Sequence, residues 1–332
     1  MKASSCATAF YPCITPLFVR GIVAACLAVA ASTVATAAEK PKIVKRGTIA
    51  CDLVEATPVV FHDKLYRFEY VRDKYKHNKT GDAYFHFIDV TSGEATPAFA
   101  PGHCLGCAIA EGDTMFVYGV KGWDTPTIYV FWSKDLNTWQ SKPAVETPNW
   151  GLFNSTVCKD DQGYVMAFEV GRPPEVVGTA FTTRFARSDN LLDWKVLDEP
   201  AVYSKEFYTA CPAIRYLEGY YYMFHLVALP GPTYETALVR SRDLIHWEKS
   251  PRHPVLVFSD EDKQIANPKL TAEEREHIAK ATNRNASDFD LCEYQGKVII
   301  SYSWGNQVGT EFLAEAYYDG GLKPFLQGFF DK

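Results

Sequence analysis

Apolar and polar positions alternate through most of the chain in short runs, and the runs come in pairs around tight turns. The turns read at Asp63-Lys64, Gly112-Asp113, Gly163-Tyr164, Gly219-Tyr220 and Gly296-Lys297. Before each stands a strand-like run such as Thr57–Phe61 or Ala213–Tyr216. After each comes an aromatic, alternating run: Leu65–Val71, Met115–Val120, Tyr164–Val170, Tyr220–Val227 and Val298–Ser303, the character of half-buried strands. Six positions past the turns fall Glu69, Tyr118, Glu169, His225 and Tyr302. Three copies close on a second refrain, at Trp132–Trp139, Arg187–Trp194 and Arg240–Trp247, whose Asp or Asn makes a turn, whose Leu packs and whose Trp covers an outer edge. A strand-built repeat with a period of roughly 50 residues predicts an all-β, five-bladed β-propeller, because each blade can bury its faces only against its neighbours. The blades read at 47–100, 101–150, 151–205, 206–258 and 283–332. One short helical insertion, Leu270–Ala281, interrupts the pattern between blades four and five; Thr271 and Glu274 have capping-box spacing, and its charge places it on a solvated face or rim.

The N-terminus departs from this pattern. Arg20 precedes an apolar run, Gly21–Ala31, and the small residues of Ser32–Ala38 offer Ala35-Thr36-Ala37 for cleavage. The run is too short to span a bilayer comfortably. Residues 1–38 therefore read as a signal peptide and 39–332 as a single domain, periplasmic or secreted, with a membrane anchor as the alternative. Of the nine cysteines, six follow the leader: Cys51, Cys104, Cys107, Cys158, Cys211 and Cys292. An even number permits disulfides in an exported protein. Cys158, Cys211 and Cys292 each lie on the first strand of a repeat, however, where a thiol serves as a small core group. His103 and Cys104 with Cys107 lack the second ligand pair a zinc site needs, so no metal is assigned. The net charge of −6, without any dense basic stretch, argues against a nucleic-acid partner. The 14% aromatic content suits strands and also suits stacking against sugar rings.

Propeller geometry turns the repeat into a map. First strands line the central channel and start on one face, and second strands run back to that face. The starts supply Glu55, Asn154, Ser155, Ala210, Cys211 and Asp288; the second-strand ends supply Glu169, Arg172, His225 and the run Trp304, Asn306 and Gln307. Asp288 and Asp290 share a face if their strand is regular, and two acids there need partners or a cation, calcium being the cofactor the pattern allows. The bland reading of that pair is a turn with capping carboxylates. Glu169, on an otherwise apolar strand, is suited to a raised pKa and acid work, or to a salt bridge. Glu55 is a candidate base or an exposed leading acid. Arg172 and Arg184 could clamp a carboxylated or sulfated sugar, while Trp304 offers a ring and Asn306 and Gln307 offer amides. Tyr208, His103, His225 and Asp290 complete the expected substrate-binding set.

The three refrains, the Thr57–Phe61 strand and the run Thr209–Pro212 together resemble the five-bladed propeller glycosidases, which include glycoside hydrolase families 43, 32 and 117. The resemblance covers nearly all the chain after the leader. It implies an inverting glycoside hydrolase acting on plant or algal oligosaccharides or polysaccharides, with Glu55 as base, Glu169 as acid and Asp288 orienting or tuning them. Thr57, Ser155 and Ala210 stand where that family places acids. Those substitutions keep open a second expectation, a non-catalytic glycan-binding propeller that has lost the usual acid set.

Overall fold

The computed structural model describes residues 39–331, and the expected leader lies outside the described residues. Five antiparallel sheets form the blades of the expected propeller. Their inner strands, Ala56–Phe61, His103–Glu111, Gly151–Asp160, Ala213–Leu217 and Ser287–Tyr294, pack against one another in that order and round again. Alternation explains where the core sits. Each sheet buries both faces, so apolar clusters fill the spaces between blades. Phe68, Phe85 and Phe87 meet Met115 and Val117 between blades one and two. Tyr118 and Val120 meet Met166 and Phe168 between two and three. Val165 and Phe185 meet Met223 and Val239 between three and four.

The refrains are the joints of this packing. Ser133, Ser188 and Ser241 accept the N–H groups of Leu136, Leu191 and Leu244. Asp135, Asn190 and Asp243 accept the next amides. These side chains replace the lost ladder bonds, which lets the three leucines adopt left-handed φ values of 59°, 66° and 64° and bury fully. Each refrain's Trp lies on the preceding blade: Trp139 stacks on Phe99 at 3.8 Å, Trp194 meets Tyr118 edge-on at 5.6 Å, and Trp247 stacks on Phe185 at 5.6 Å. Trp139→Ala is expected to cost about 3 kcal/mol, since it empties an aromatic stack between two blades. Trp139→Phe should cost much less. Denaturant midpoints measure both.

Two features correct the expected boundaries. Strand Val44–Cys51 does not open blade one; it pairs with Glu311–Tyr318 as the outer strand of blade five. That pairing covers the last blade's open edge and closes the ring. The third turn is Asp161-Gln162, because Gly163 already pairs with Asp160 as the first residue of its strand.

The insertion between blades four and five reinforces the closure. Asp262 is fully buried in a 3-10 turn, Asp260–Lys263. Its carboxylate meets Lys45 of the closing strand at 2.7 Å and accepts from Tyr302 Oη, Ser259 N and Asn283 Nδ2, each at 2.7 Å. Thr48 donates its hydroxyl to the Asp262 carbonyl and accepts from Trp304 Nε1. Helix Ala272–Lys280 follows, with the expected capping box between Thr271 and Glu274. Its buried Ile278 joins the core that contains Cys51 and Phe312, and Glu274 pairs with His77 of blade one. No helix of the described residues is long and apolar enough to cross a membrane. The six cysteines among the described residues are free thiols, four of them buried.

Candidate active site

Near the start of each inner strand, six residues ahead of its last residue, stand five structurally matching positions: Glu55, Leu105, Asn154, Cys211 and Asp288. All five side chains face one pocket of about 250 Å³. Glu55, Leu105, Cys211 and Asp288 hold φ values of 57°, 55°, 50° and 50°, a left-handed conformation that costs a non-glycine residue about 1 kcal/mol. The strain turns each residue out of the strand and into the pocket. Second-strand ends complete the wall. Counted six past the last turn residue, Glu69, Gly119, Phe168, His225 and Tyr302 share one rank; Tyr70, Val120, Glu169, Leu226 and Ser303 share the next. Side chains alternate across a sheet, so the two ranks face opposite sides, and Tyr70, Glu169 and Leu226 reach the pocket.

Glu55, Glu169 and Asp288, drawn from three different blades, therefore come together as expected. Asn154 Nδ2 donates to Glu55 Oε1 at 3.5 Å and to Cys211 Sγ at 3.2 Å. The Cys211 N–H donates to Glu169 Oε2 at 3.0 Å. Ser287 donates its hydroxyl to Asp288 at 2.8 Å and accepts from Gln307 Nε2 at 3.1 Å. Glu55 Oε2 is buried with no partner. Burial, reinforced by the charges of Asp288, Glu311 and Glu169, pushes the Glu55 carboxyl well above its ordinary range, against the pull of Arg72. Burial raises Glu169 to about 7; Asp288 adds to the rise, and the Cys211 amide and Asn154 oppose it. The pocket therefore holds one carboxyl, Glu55, whose hold on its proton is strongly raised, beside another, Glu169, that titrates near 7.

The remaining expected residues divide. Tyr208 and Gln307 line the pocket. Asp290 does not: a bulge after Ser287 and the left-handed Asp288 separate the two acids, and Asp290 sits in the narrow channel below, paired with Arg215 at 2.5 Å. That guanidinium is the counter-charge of Asp290, and no group of three or more potential metal ligands gathers among the described residues. Arg172 is held by Asp124 and Arg184 by Glu199, the latter in a separate cavity. Trp304 is completely buried, stacked on Phe312 at 4.3 Å, so it offers no face to a sugar. Asn306 is spent on a turn, accepting from the Val308 and Thr310 amides. His103 is buried against Tyr129 and Phe131, with Nδ1 on the Pro101 carbonyl at 3.1 Å. His225 belongs to the other rank and lines a separate, largely apolar cavity with Tyr203 and Phe207, where burial lowers its pKa to about 4. Glu69, of the same rank, is held by Arg67 and His86 at 2.7 Å each.

Several pocket residues were not anticipated. Tyr70 shares the rank of Glu169, and Trp123 lies in the loop just past a second-strand end, so the repeat carried a signal for both. Phe181 and Tyr234 come from third-strand approaches, and Glu311, paired with Arg72 at 2.6 Å, comes from the last strand. No motif marks these three.

No protein-family model and no curated protein matches the chain. Solved structures do. One described as a glycoside hydrolase is 16% identical, with a TM-score of 0.60 over 84% of this chain and 92% of its own. An alpha-L-arabinofuranosidase from Lactobacillus brevis is 11% identical, with a TM-score of 0.54 over 81% of this chain and 93% of its own. A GH43_1 enzyme from Xanthomonas citri complexed with xylose is 12% identical, with a TM-score of 0.50 over 84% and 90%. At these identities the similarity is one of fold: the chain shares the five-bladed propeller of these glycoside hydrolases.

Proposed function

We propose that this chain is an exported glycoside hydrolase that cleaves glycosidic bonds in plant or algal oligosaccharides or polysaccharides with inversion at the anomeric carbon. The observation that carries the reading is the convergence of Glu55, Glu169 and Asp288 in one pocket, where burial raises the Glu55 carboxyl well above its ordinary range and Glu169 to about 7. Hydrolysis requires that pair: a carboxylic acid gives its proton to the leaving oxygen, and a carboxylate takes a proton from the water whose oxygen bonds to the anomeric carbon. Export rests on the N-terminal sequence, and inversion on the resemblance to family 43. Neighbours of the same fold include an arabinofuranosidase and a xylose complex, which makes neutral pentose-containing glycans the first to try.

The electrostatics favour exchanging the two roles that the resemblance implies. The carboxyl with the higher proton affinity serves best as acid, and that is Glu55, whose carboxyl burial raises well above its ordinary range. Glu169 then serves as base, and Asp288 adds its negative field to the burial that raises Glu55.

The test is turnover on a panel of neutral oligosaccharides and aryl glycosides. Glu55→Gln is expected to lose about 10²–10⁴-fold on oligosaccharides, whose leaving groups need a proton. It should lose far less on a dinitrophenyl glycoside, whose leaving group departs without one. Equal losses on both substrate types would remove Glu55 from the acid's role. The binding-module reading is favoured by one observation, that Leu105, Asn154 and Cys211 hold three of the five strand-start positions. Measurable glycan affinity without turnover by the parent protein would establish it instead.

A further inference from the structure

Trp123 is 69% exposed, yet it lines the mouth of the acid pocket. A large ring left in water there has a ligand-facing surface without a protein partner. It is nonetheless fixed. Its edge-to-face contact with Phe153 has centroids 5.0 Å apart, and an arc of pocket aromatics continues through Phe181 and Tyr208 to Tyr234 at spacings of 5.1, 6.1 and 5.7 Å. The loop that carries Trp123 belongs to blade two but is stitched to blade three. Arg172 Nε donates to both Asp124 carboxylate oxygens at 2.9 Å, Arg172 Nη1 donates to the Asn149 carbonyl at 2.5 Å, and Leu152 N donates to the Thr125 carbonyl at 2.9 Å.

We propose that Trp123 is the platform of a second sugar subsite, on which the ring following the one held among the acids stacks, and that Arg172 and Asp124 are its positioning residues. This rests on the glycosidase reading and extends it to the size and charge of the substrate. The pocket's 250 Å³ lies below the ~300–1,000 Å³ that hold drug-sized ligands and suits about one sugar ring, so a second ring must lie at the mouth. The second ring is neutral. Four carboxyl groups, Glu55, Glu169, Asp288 and Glu311, face the pocket against the single guanidinium of Arg72, and Asp124 and Arg172 neutralise each other beneath the platform.

The test compares neutral disaccharides (xylobiose, arabinobiose and cellobiose) with the methyl glycosides of the same sugars, using calorimetry and tryptophan emission on the full protein. At least one disaccharide should bind about tenfold more tightly than its methyl glycoside and change the emission of the parent. Trp123→Ala should remove that advantage while weakening methyl-glycoside binding much less. Trp123→Phe should keep most of the affinity but lose the emission change, a readout that a merely structural role would not move. Arg172→Gln should reproduce the loss seen with Trp123→Ala for disaccharides only. A parent with no disaccharide advantage overturns the subsite while leaving hydrolysis at the acids intact. Absence of binding by every sugar, together with absence of turnover on the oligosaccharide panel, overturns the pocket reading and the subsite with it.

Discussion

Glu169→Gln is expected to abolish most turnover and, at pH 8, to make the protein more stable than its parent. The loss should fall in the range of about 10²–10⁴-fold typical of a removed acid or base. The gain in stability follows from the same burial. In the folded protein the Glu169 carboxyl titrates near 7 rather than at its ordinary 4.5. The folded state therefore holds this proton more tightly than the unfolded chain does. Its contribution is complete below pH 4.5, declines as pH rises towards 7, and is gone above it. The difference in pKa corresponds to about 3 kcal/mol. A glutamine carries no charge to bury and its carbonyl oxygen can still accept the Cys211 amide, so the variant avoids that decline. Chemical denaturation should give nearly equal stabilities at pH 4 and a variant ahead by about 3 kcal/mol at pH 8. A variant less stable than its parent at pH 8 would mean that Glu169 is ionised at little cost, and the base would have to be sought elsewhere in the pocket.

The second large effect lies far from the pocket. Asp262→Asn is expected to destabilise the fold by about 3–5 kcal/mol, the penalty for leaving a buried charge without its partner. Asp262 is wholly inaccessible, and the Lys45 side chain it faces is only 7% exposed. Substitution leaves that ammonium without a counter-charge where strand Val44–Cys51 closes the ring. For a domain of this size the loss corresponds to a fall of roughly 10 °C in Tm. Lys45→Met combined with Asp262→Leu should recover part of it, because replacing a whole buried pair is milder than breaking one. A single-variant loss under about 1 kcal/mol would show that the pair is solvated and that the closing strand depends on its ladder alone.

The sequence repeat made the architecture legible because packing imposes it five times. The strand pairs, the three refrains and the helix capping box all lie where alternation and turn chemistry put them. The acids were legible for a related reason: Glu55 and Asp288 interrupt a position that is apolar or neutral in the other copies, and Glu169 interrupts an apolar strand. The errors have a common physical source. A side chain's identity does not say which face of a strand it occupies, and one residue of register reverses the answer. Gly163 opens a strand instead of closing a turn, so Glu169 and His225 belong to different ranks and face different cavities. Trp304, Arg172 and Arg184 have the chemistry of sugar ligands, but Thr48, Asp124 and Glu199 had already engaged them. Asp262 was illegible because its partner Lys45 lies more than two hundred residues away in the chain, and only ring closure brings them together.

Closure has a consequence for the chemistry as well. Glu55 stands just after the closing strand, on the way into blade one, and Asp288 opens blade five, so the seam both buries Glu55 and brings it against the charge of Asp288, the two largest causes of its raised proton affinity. The proton affinity of Glu55 thus depends in part on how tightly the seam is drawn. Loosening the ring at Lys45 and Asp262 should relax that repulsion and shift the alkaline limb of the activity profile to lower pH before any blade unfolds.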